Sequence, residues 1–302
     1  MGRKLRYLPP GEENLVEITC RVIQRRFLLR PSPQLTAMII GTLARLQRRH
    51  GMRICGFVYL SNHVHVLLRP DSVEQLANFM RDLNSKIARE AGRLHYWRET
   101  LWGRRYTDVL VSQEPEAQEL RLRYLLAQGT KEGLVASPKQ WPGASSTQAL
   151  LSGDTMEGVW IDRTEQYEAF QRKESNPDWR FTTTHRLELS PIPCWDHLPW
   201  HQRAARVRAM VREIEEETAG RSVLGVEAIL AQDPHGSPST PRPRSPAPRF
   251  HAVEQQVRKA LEIAYRAFRY AYQEASEALR ASKKAIFPPG CFAPGRYVPL
   301  RT

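Results

Sequence analysis

The chain has 302 residues, 41% of them hydrophobic, and a formal net charge of +13 at pH 7. That length allows one large core or two smaller ones, and the positive excess favours a polyanionic partner, with nucleic acid ahead of a membrane surface. Cys20, Cys55, Cys194 and Cys291 form no CxxC pair, which argues against a cysteine zinc site or a disulfide framework and for a reducing, cytoplasmic setting.

No apolar run approaches the length of about 18 residues that a membrane span needs. The N-terminal "MGRKLRYLPPGEENLVEI" lacks the apolar stretch of a signal peptide. "NLVEITCRVIQRRFLL" reads as a first strand or a hairpin. A helix follows, with Ser32 as cap, Pro33 in its first turn and Leu35, Met38, Ile39, Leu43 and Leu46 at helical spacing. Arg48, Arg49 and His50 suit its negative end, and Gly51 suits its stop. "RICGFVYL" and "HVHVLLR" are a second and a third strand, joined through Ser61 and Asn62.

"DSVEQLANFMRDLNSKIAREAGR" is a second helix, with Ser72 and Gln75 at capping-box spacing and Leu76, Met80, Leu83 and Ile87 as its buried stripe. "RRYTDVLVS" is a fourth strand and "PEAQELRLRYLLAQGT" a further helix. The fold class is therefore α+β: a ferredoxin-like βαββαβ unit with an antiparallel sheet, followed by a mainly helical C-terminal extension. The organisation reads as a catalytic unit over residues 1–150 and a helical extension over 151–234. A Pro/Ser-rich linker covers 235–249, and a long helix with an irregular tail covers 250–302.

The chemistry concentrates in two places. On a strand, His63 and His65 point the same way and Val64, Val66 and Leu68 the other. Such a pair can reach one metal ion, and it also occurs as two satisfied histidines with no metal. In "RLRYLLAQGTKEGLV", Leu122, Leu125 and Leu126 form an apolar stripe. Tyr124 falls on the far side of the helix from them, and Arg121, Gln128 and Lys131 share its face. A half-buried tyrosine with a wet hydroxyl is the plain alternative.

Together the two elements suggest a reaction. A divalent ion held by His63, His65 and the amide oxygen of Gln128 would polarise a scissile phosphate. Tyr124 would be the nucleophile beside it, and a phenol needs a neighbouring cation or metal to ionise near neutrality. Attack would yield a 5′-phosphotyrosine and a free 3′-hydroxyl. Arg81, Arg89, Arg93, Arg104 and Arg105, with Arg121 and Lys131, are candidate DNA phosphate contacts. Trp97, Trp102 and Tyr106 are candidate base-stacking platforms, with core packing as their alternative.

These segments resemble the single-tyrosine HUH transposases, and most closely the REP-associated tyrosine transposases. "SNHVHVLL" is similar to the family's "PNHVHLL", "YLLAQGTKEGLV" to its "YIxLNPVRAGLV" with Tyr124 at the nucleophile, and "WPGASS" to its "YPWSS". The resemblance spans about residues 8 to 150; Gln128 stands where many relatives have Asn, and Gly129-Thr130 replaces Pro-Val. It implies a ferredoxin-like core, Mg2+ or Mn2+, and single-stranded DNA folded into REP-like hairpins. It also implies a protein acting as a monomer or homodimer, with no membrane partner. Two rival readings remain: a non-catalytic hairpin-binding protein derived from a transposase, and an unrelated HxH metal-dependent hydrolase.

Overall fold

The computed structural model describes residues 5–11, 13–174, 178–239 and 248–292. The chain runs β1 (Leu15–Arg21), α1 (Pro33–His50), β2 (Arg53–Tyr59), β3 (His63–Arg69), α2 (Val73–Leu94) and β4 (Thr107–Val111), which is the expected βαββαβ order. Both helices start on the predicted hydroxyls. Ser32 Oγ accepts the Leu35 N–H at 3.2 Å and Ser72 Oγ accepts that of Gln75 at 3.0 Å, so each satisfies a donor that a helix leaves open. The first apolar run is a single strand and not a hairpin. It ends where Gln24 and Arg25 take left-handed conformations, φ 51° and 60°, which no ladder can follow.

Beyond β4 come α3 (Pro115–Leu126), the single turn α4 (Gln128–Lys131), α5 (Thr147–Ser152), β5 (Met156–Ile161), α6 (Arg163–Gln171) and β6 (Thr182–Leu187). Then follow α7 (Trp200–Thr218), α8 (Val226–Leu230), β7 (Phe250–His251) and α9 (Gln255–Arg280).

The main sheet has the order β2-β3-β1-β4, antiparallel throughout, with β7 added in parallel beside β4. Strand alternation divides it into two faces. Val16, Ile18 and Cys20 of β1 and Val64, Val66 and Leu68 of β3 form one core with Leu35, Ile39 and Leu43 of α1 and Leu76, Phe79, Leu83 and Ile87 of α2. On the other face, Leu15 and Leu67 pack with Leu122, Leu125 and Leu126 of α3 and with Val207, Val211 and Ile214 of α7.

The extension differs from expectation in two ways. Segment 151–234 is not wholly helical, because β5 and β6 pair antiparallel, with Val159 opposite Thr184 and Trp160 opposite Thr183. β-Branched and aromatic residues favour this pleated pairing. The ribbon lies across α1 at a contact of two glycines: a Cβ on Gly41 would strike the Val159 backbone, and one on Gly158 the backbone of Gly41 and Ile40.

The long helix, in turn, begins at Gln255 and not at Phe250. Phe250 and His251 are drawn onto the sheet edge opposite Leu110 and Val111. The Val253 and Glu254 N–H groups then donate to the Glu114 carboxylate at 3.2 and 2.8 Å, so tertiary partners satisfy donors that a further helical turn would otherwise have used.

Phe250, Tyr265 and Phe268 complete the first core, and Trp195 and Ile229 join the second. Of the predicted linker, residues 240–247 lie outside the described residues, as do 293–302 of the tail. The linker's start is held, since Phe27 N–H donates to the Gly236 carbonyl at 3.0 Å. No helix among the described residues is long and apolar enough to cross a membrane.

The glycine contact yields a stability test. Forcing a methyl into such a packed approach costs about 1–3 kcal/mol or more. Gly41→Ala and Gly158→Ala should each lower the thermal midpoint measured by circular dichroism, whereas Ser152→Ala on the surface should not. Unchanged midpoints for both glycine variants would mean that the ribbon does not rest on α1.

Candidate active site

His63 and His65 emerge side by side from β3, their ring centroids 5.2 Å apart. They share the sheet face covered by α3, because Val64 and Val66 take the opposite one. His63 Nδ1 lies 2.7 Å from Asn62 Oδ1. His65 Nδ1 lies 2.7 Å from Oε1 of Glu17, a residue of β1, and 3.4 Å from Thr19 Oγ1. The other Glu17 oxygen accepts Arg121 Nη1 of α3 at 2.6 Å. Glu17 is 2% exposed and Arg121 8%.

Burial would push the Glu17 carboxyl up, but the hydrogen bond from His65 and the charges of His65 and Arg121 outweigh it and hold the group below the ordinary carboxylate value. An ionised carboxylate can only accept, so His65 Nδ1 donates to it and Nε2 is left free of Glu17.

Tyr124 is delivered from above. With Leu122, Leu125 and Leu126 buried against the sheet, its ring stands 5.9 Å from that of His65. Arg121 Cζ is 5.1 Å and Lys131 Nζ 4.3 Å from the centre of the tyrosine ring. The predicted grouping of Arg121, Tyr124 and Lys131 is thus present.

Gln128 reaches it differently from expectation. The helix breaks at Ala127, so Gln128 opens α4 rather than continuing α3. Its buried side chain turns back, and Nε2 donates to the Tyr124 carbonyl at 2.8 Å. That bond ties the second turn to the first, and Gln128 makes no hydrogen bond to either imidazole.

A cleft of about 290 Å³ opens beside His63, lined by Arg21, Arg25, Asn62 and Glu132 among others. Composition and periodicity did not reveal Glu17, Arg21 or Arg25 as site residues. The available signal was the run Glu17, Thr19, Arg21, alternate polar positions within an apolar strand. His251 was missed as well. It sits on β7 opposite Val111, its Nε2 is buried without a hydrogen-bond partner, and burial with the charge of Arg121 lowers its pKa to about 4.

The remaining predicted DNA contacts are not gathered here. Arg81, Arg89 and Arg93 lie on α2, which covers the opposite face, and Arg104 and Arg105 border a recess there with Arg81. Arg81 pairs with Asp82 and Arg93 with Glu90. Tyr106 belongs to the opposite core, and burial drives its phenol above the ordinary value.

Among the described residues, no group of three His, Cys, Asp or Glu side chains forms a metal cluster. The donors that do converge are two imidazoles, one of them backed on Nδ1 by a buried carboxylate. Such backing orients a ligating histidine and raises its basicity. The donor set therefore fits a divalent ion at the imidazole end, while the Gln128 amide is bonded through Nε2 to the Tyr124 carbonyl.

Residues 15–126 match the family described as IS200-like transposase. Among solved structures, a REP-associated tyrosine transposase bound to a REP hairpin is 18% identical, with a TM-score of 0.42, covering 51% of this chain and 87% of that one. A Deinococcus radiodurans R1 protein provisionally described as a transposase is 17% identical, with a TM-score of 0.29, covering 40% of this chain and 95% of that one. No curated protein matches the chain significantly.

Removing the shared carboxylate leaves Arg121 buried without its counter-charge. Glu17→Ala should therefore destabilise the fold by about 3–5 kcal/mol, read as a lower urea midpoint. An unchanged midpoint would mean that Glu17 does not join β1, β3 and α3.

Proposed function

We propose that this chain, whose residues 15–126 belong to the IS200-like transposase family, cleaves and rejoins single-stranded DNA with Tyr124 as its nucleophile. The observation that carries this reading is the approach of Tyr124 to His65, 5.9 Å between ring centroids, with the Lys131 ammonium 4.3 Å from the same tyrosine ring. A core tyrosine has no need of an imidazole on one side and two cations around its ring.

The Tyr124 oxygen attacks the scissile phosphorus and the phenolic proton is lost. The bond from phosphorus to the 3′-oxygen breaks, and that oxygen leaves as a hydroxyl after protonation. The products are a 5′-phosphotyrosine and a free 3′-hydroxyl. One phosphodiester has been exchanged for another, so attack by a 3′-hydroxyl on the tyrosine adduct rejoins a strand. Lys131 offsets the negative charge that gathers around the phosphate and the phenolic oxygen, whereas Arg121 is paired with Glu17.

IS200-like transposases are in general metal-dependent. Mg2+ or Mn2+ held by His63, His65 and the Gln128 amide oxygen would polarise the phosphate as a Lewis acid. Glu17 serves by fixing the ring of His65, and the Gln128 bond to the Tyr124 carbonyl keeps the nucleophile's turn in place. Arg21 and Arg25, in the cleft beside His63, hold neighbouring phosphates.

The net charge of +13 suits a polyanionic substrate. The resemblance of "SNHVHVLL" and "YLLAQGTKEGLV" to REP-associated transposases extends the proposal to hairpin-bearing strands of the REP type, acted on in the cytoplasm.

A labelled hairpin with single-stranded flanks, incubated with the protein and Mn2+, tests the reading. Tyr124→Phe keeps the ring and removes one oxygen, so folding should be retained while cleavage and the covalent adduct vanish together. Survival of the adduct would place the nucleophile elsewhere. His63→Ala or His65→Ala should abolish cleavage and leave most of the hairpin binding, since arginine contacts need no ion. Wild-type cleavage by the variant lacking both imidazoles would sink the site.

Affinity should also depend steeply on salt. With about six phosphate contacts, it should fall about a thousandfold between roughly 50 and 200 mM salt. A salt-independent affinity would argue against a phosphate-dominated interface.

A further inference from the structure

A second recess, of about 730 Å³, lies between the C-terminal half of α2 and the loop after it, lined by Arg89, Arg93, Tyr96, Trp97 and Arg98 among others. It belongs to the side of the sheet away from the histidine pair. Tyr96 is its most unusual member. It holds a left-handed backbone, φ 54°, and its side chain is 91% exposed. The backbone conformation closes α2, since the Tyr96 and Trp97 N–H groups donate to the Arg93 and Gly92 carbonyls, and it leaves the ring standing in water.

A loop joins the recess to the histidine cleft. Val22 N–H donates to the Asn62 carbonyl, the residue before His63, while Ile23 N–H donates to Leu101 and Gly103 N–H to Arg21. Residues 21–26 are thus bonded on one side to the histidine strand and on the other to the wall of the recess. The loop's cations follow the same path. Arg21 and Arg25 line the cleft, and the Arg26 guanidinium sits 5.1 Å from the centre of the Trp97 ring. Arg89, Arg93 and Arg98 line the recess with Glu99, and of the three Arg93 is paired with Glu90.

A positively charged track carrying an unpaired aromatic face matches a single strand, whose phosphates and open base faces alternate. A duplex would present no base face to Tyr96. We propose that this recess binds the single-stranded flank of the substrate, with Tyr96 stacking on an unpaired base and Arg89 and Arg98 holding the adjoining phosphates. The proposal rests on the reading that the scissile phosphate sits at His63.

The test uses the full-length protein, a hairpin with a single-stranded thymidine flank, the same hairpin without a flank, and one whose flank is made duplex. Tyr96→Gly removes the ring and suits the left-handed backbone, so its thermal midpoint should equal or exceed that of the wild type. It should weaken binding of the flanked hairpin about tenfold, the loss expected for one stacked base, and leave the flankless hairpin unchanged. Arg89→Gln/Arg98→Gln should act in the same direction and reduce the salt dependence.

Equal wild-type affinity for the single-stranded and duplex flanks would overturn the proposal, and so would a Tyr96→Gly protein that binds the flanked hairpin like the wild type. The two readings fail separately. If the wild type forms the tyrosine adduct but Tyr96→Gly changes nothing, only the recess is wrong. If binding depends on flank and Tyr96 yet no adduct forms, the recess stands and the catalytic reading falls.

Discussion

The carboxylate of Glu17 is the constraint on which the site depends. A buried charge is tolerable only when its lone pairs are satisfied and a counter-charge is at hand. Here one oxygen takes His65 and the other Arg121. Those two partners come from β3 and α3, so a single group of β1 fixes three elements at once. The same bond settles the orientation of His65: with Nδ1 committed to a carboxylate, Nε2 is the nitrogen available to a ligand. Without Glu17, the imidazole would lose its orientation and Arg121, below a tenth exposed, would stand uncompensated. The arrangement costs stability that an apolar strand would have kept, and such costs concentrate where function requires a fixed geometry.

How much of this the sequence revealed follows from the range of the interactions involved. The strands and helices of the core were legible because alternation and helical spacing are local, and the caps at Ser32 and Ser72 lie three residues from the groups they bond. The histidine pair was legible for the same reason. So was the grouping of Tyr124 with Arg121 and Lys131, which needs only the period of a helix. Glu17 was not, since its partners lie 48 and 104 residues away. The Gln128 contact was half-legible. Its nearness to Tyr124 follows from spacing, but the break at Ala127 turns its amide toward a backbone carbonyl. The β5–β6 ribbon and the strand pairing of Phe250 and His251 depend on surfaces already built, an α1 glycine and an open sheet edge, and periodicity cannot report these.

The extension is part of the same packed body. Phe250, Tyr265 and Phe268 lie in the core formed by α1, α2 and the sheet. Trp195, Val207, Val211 and Ile229 lie in the one under α3. Both faces of the sheet are therefore sealed by later sequence. The edge beyond β4 is also closed by β7, which removes a row of unpaired backbone groups that would otherwise invite another strand. His251 comes with that closure, and it stands close enough to Arg121 for the guanidinium's charge to help keep its ring neutral.

The two faces of the sheet thus carry different duties. The face under α3 holds the ionised and hydrogen-bonded groups, fixed by Glu17, and can keep a reacting atom in place. The face under α1 and α2 is packed with aliphatic side chains and presents its arginines at the rim. The loop at residues 21–26 connects the two, through its bonds to Asn62, Leu101 and Gly103. The left-handed turns at Gln24 and Arg25 let that loop leave the β1 ladder and cross the end of the sheet. The turn carries Arg25 to the histidine cleft and Arg26 to Trp97, so the end of one strand supplies basic groups to both faces.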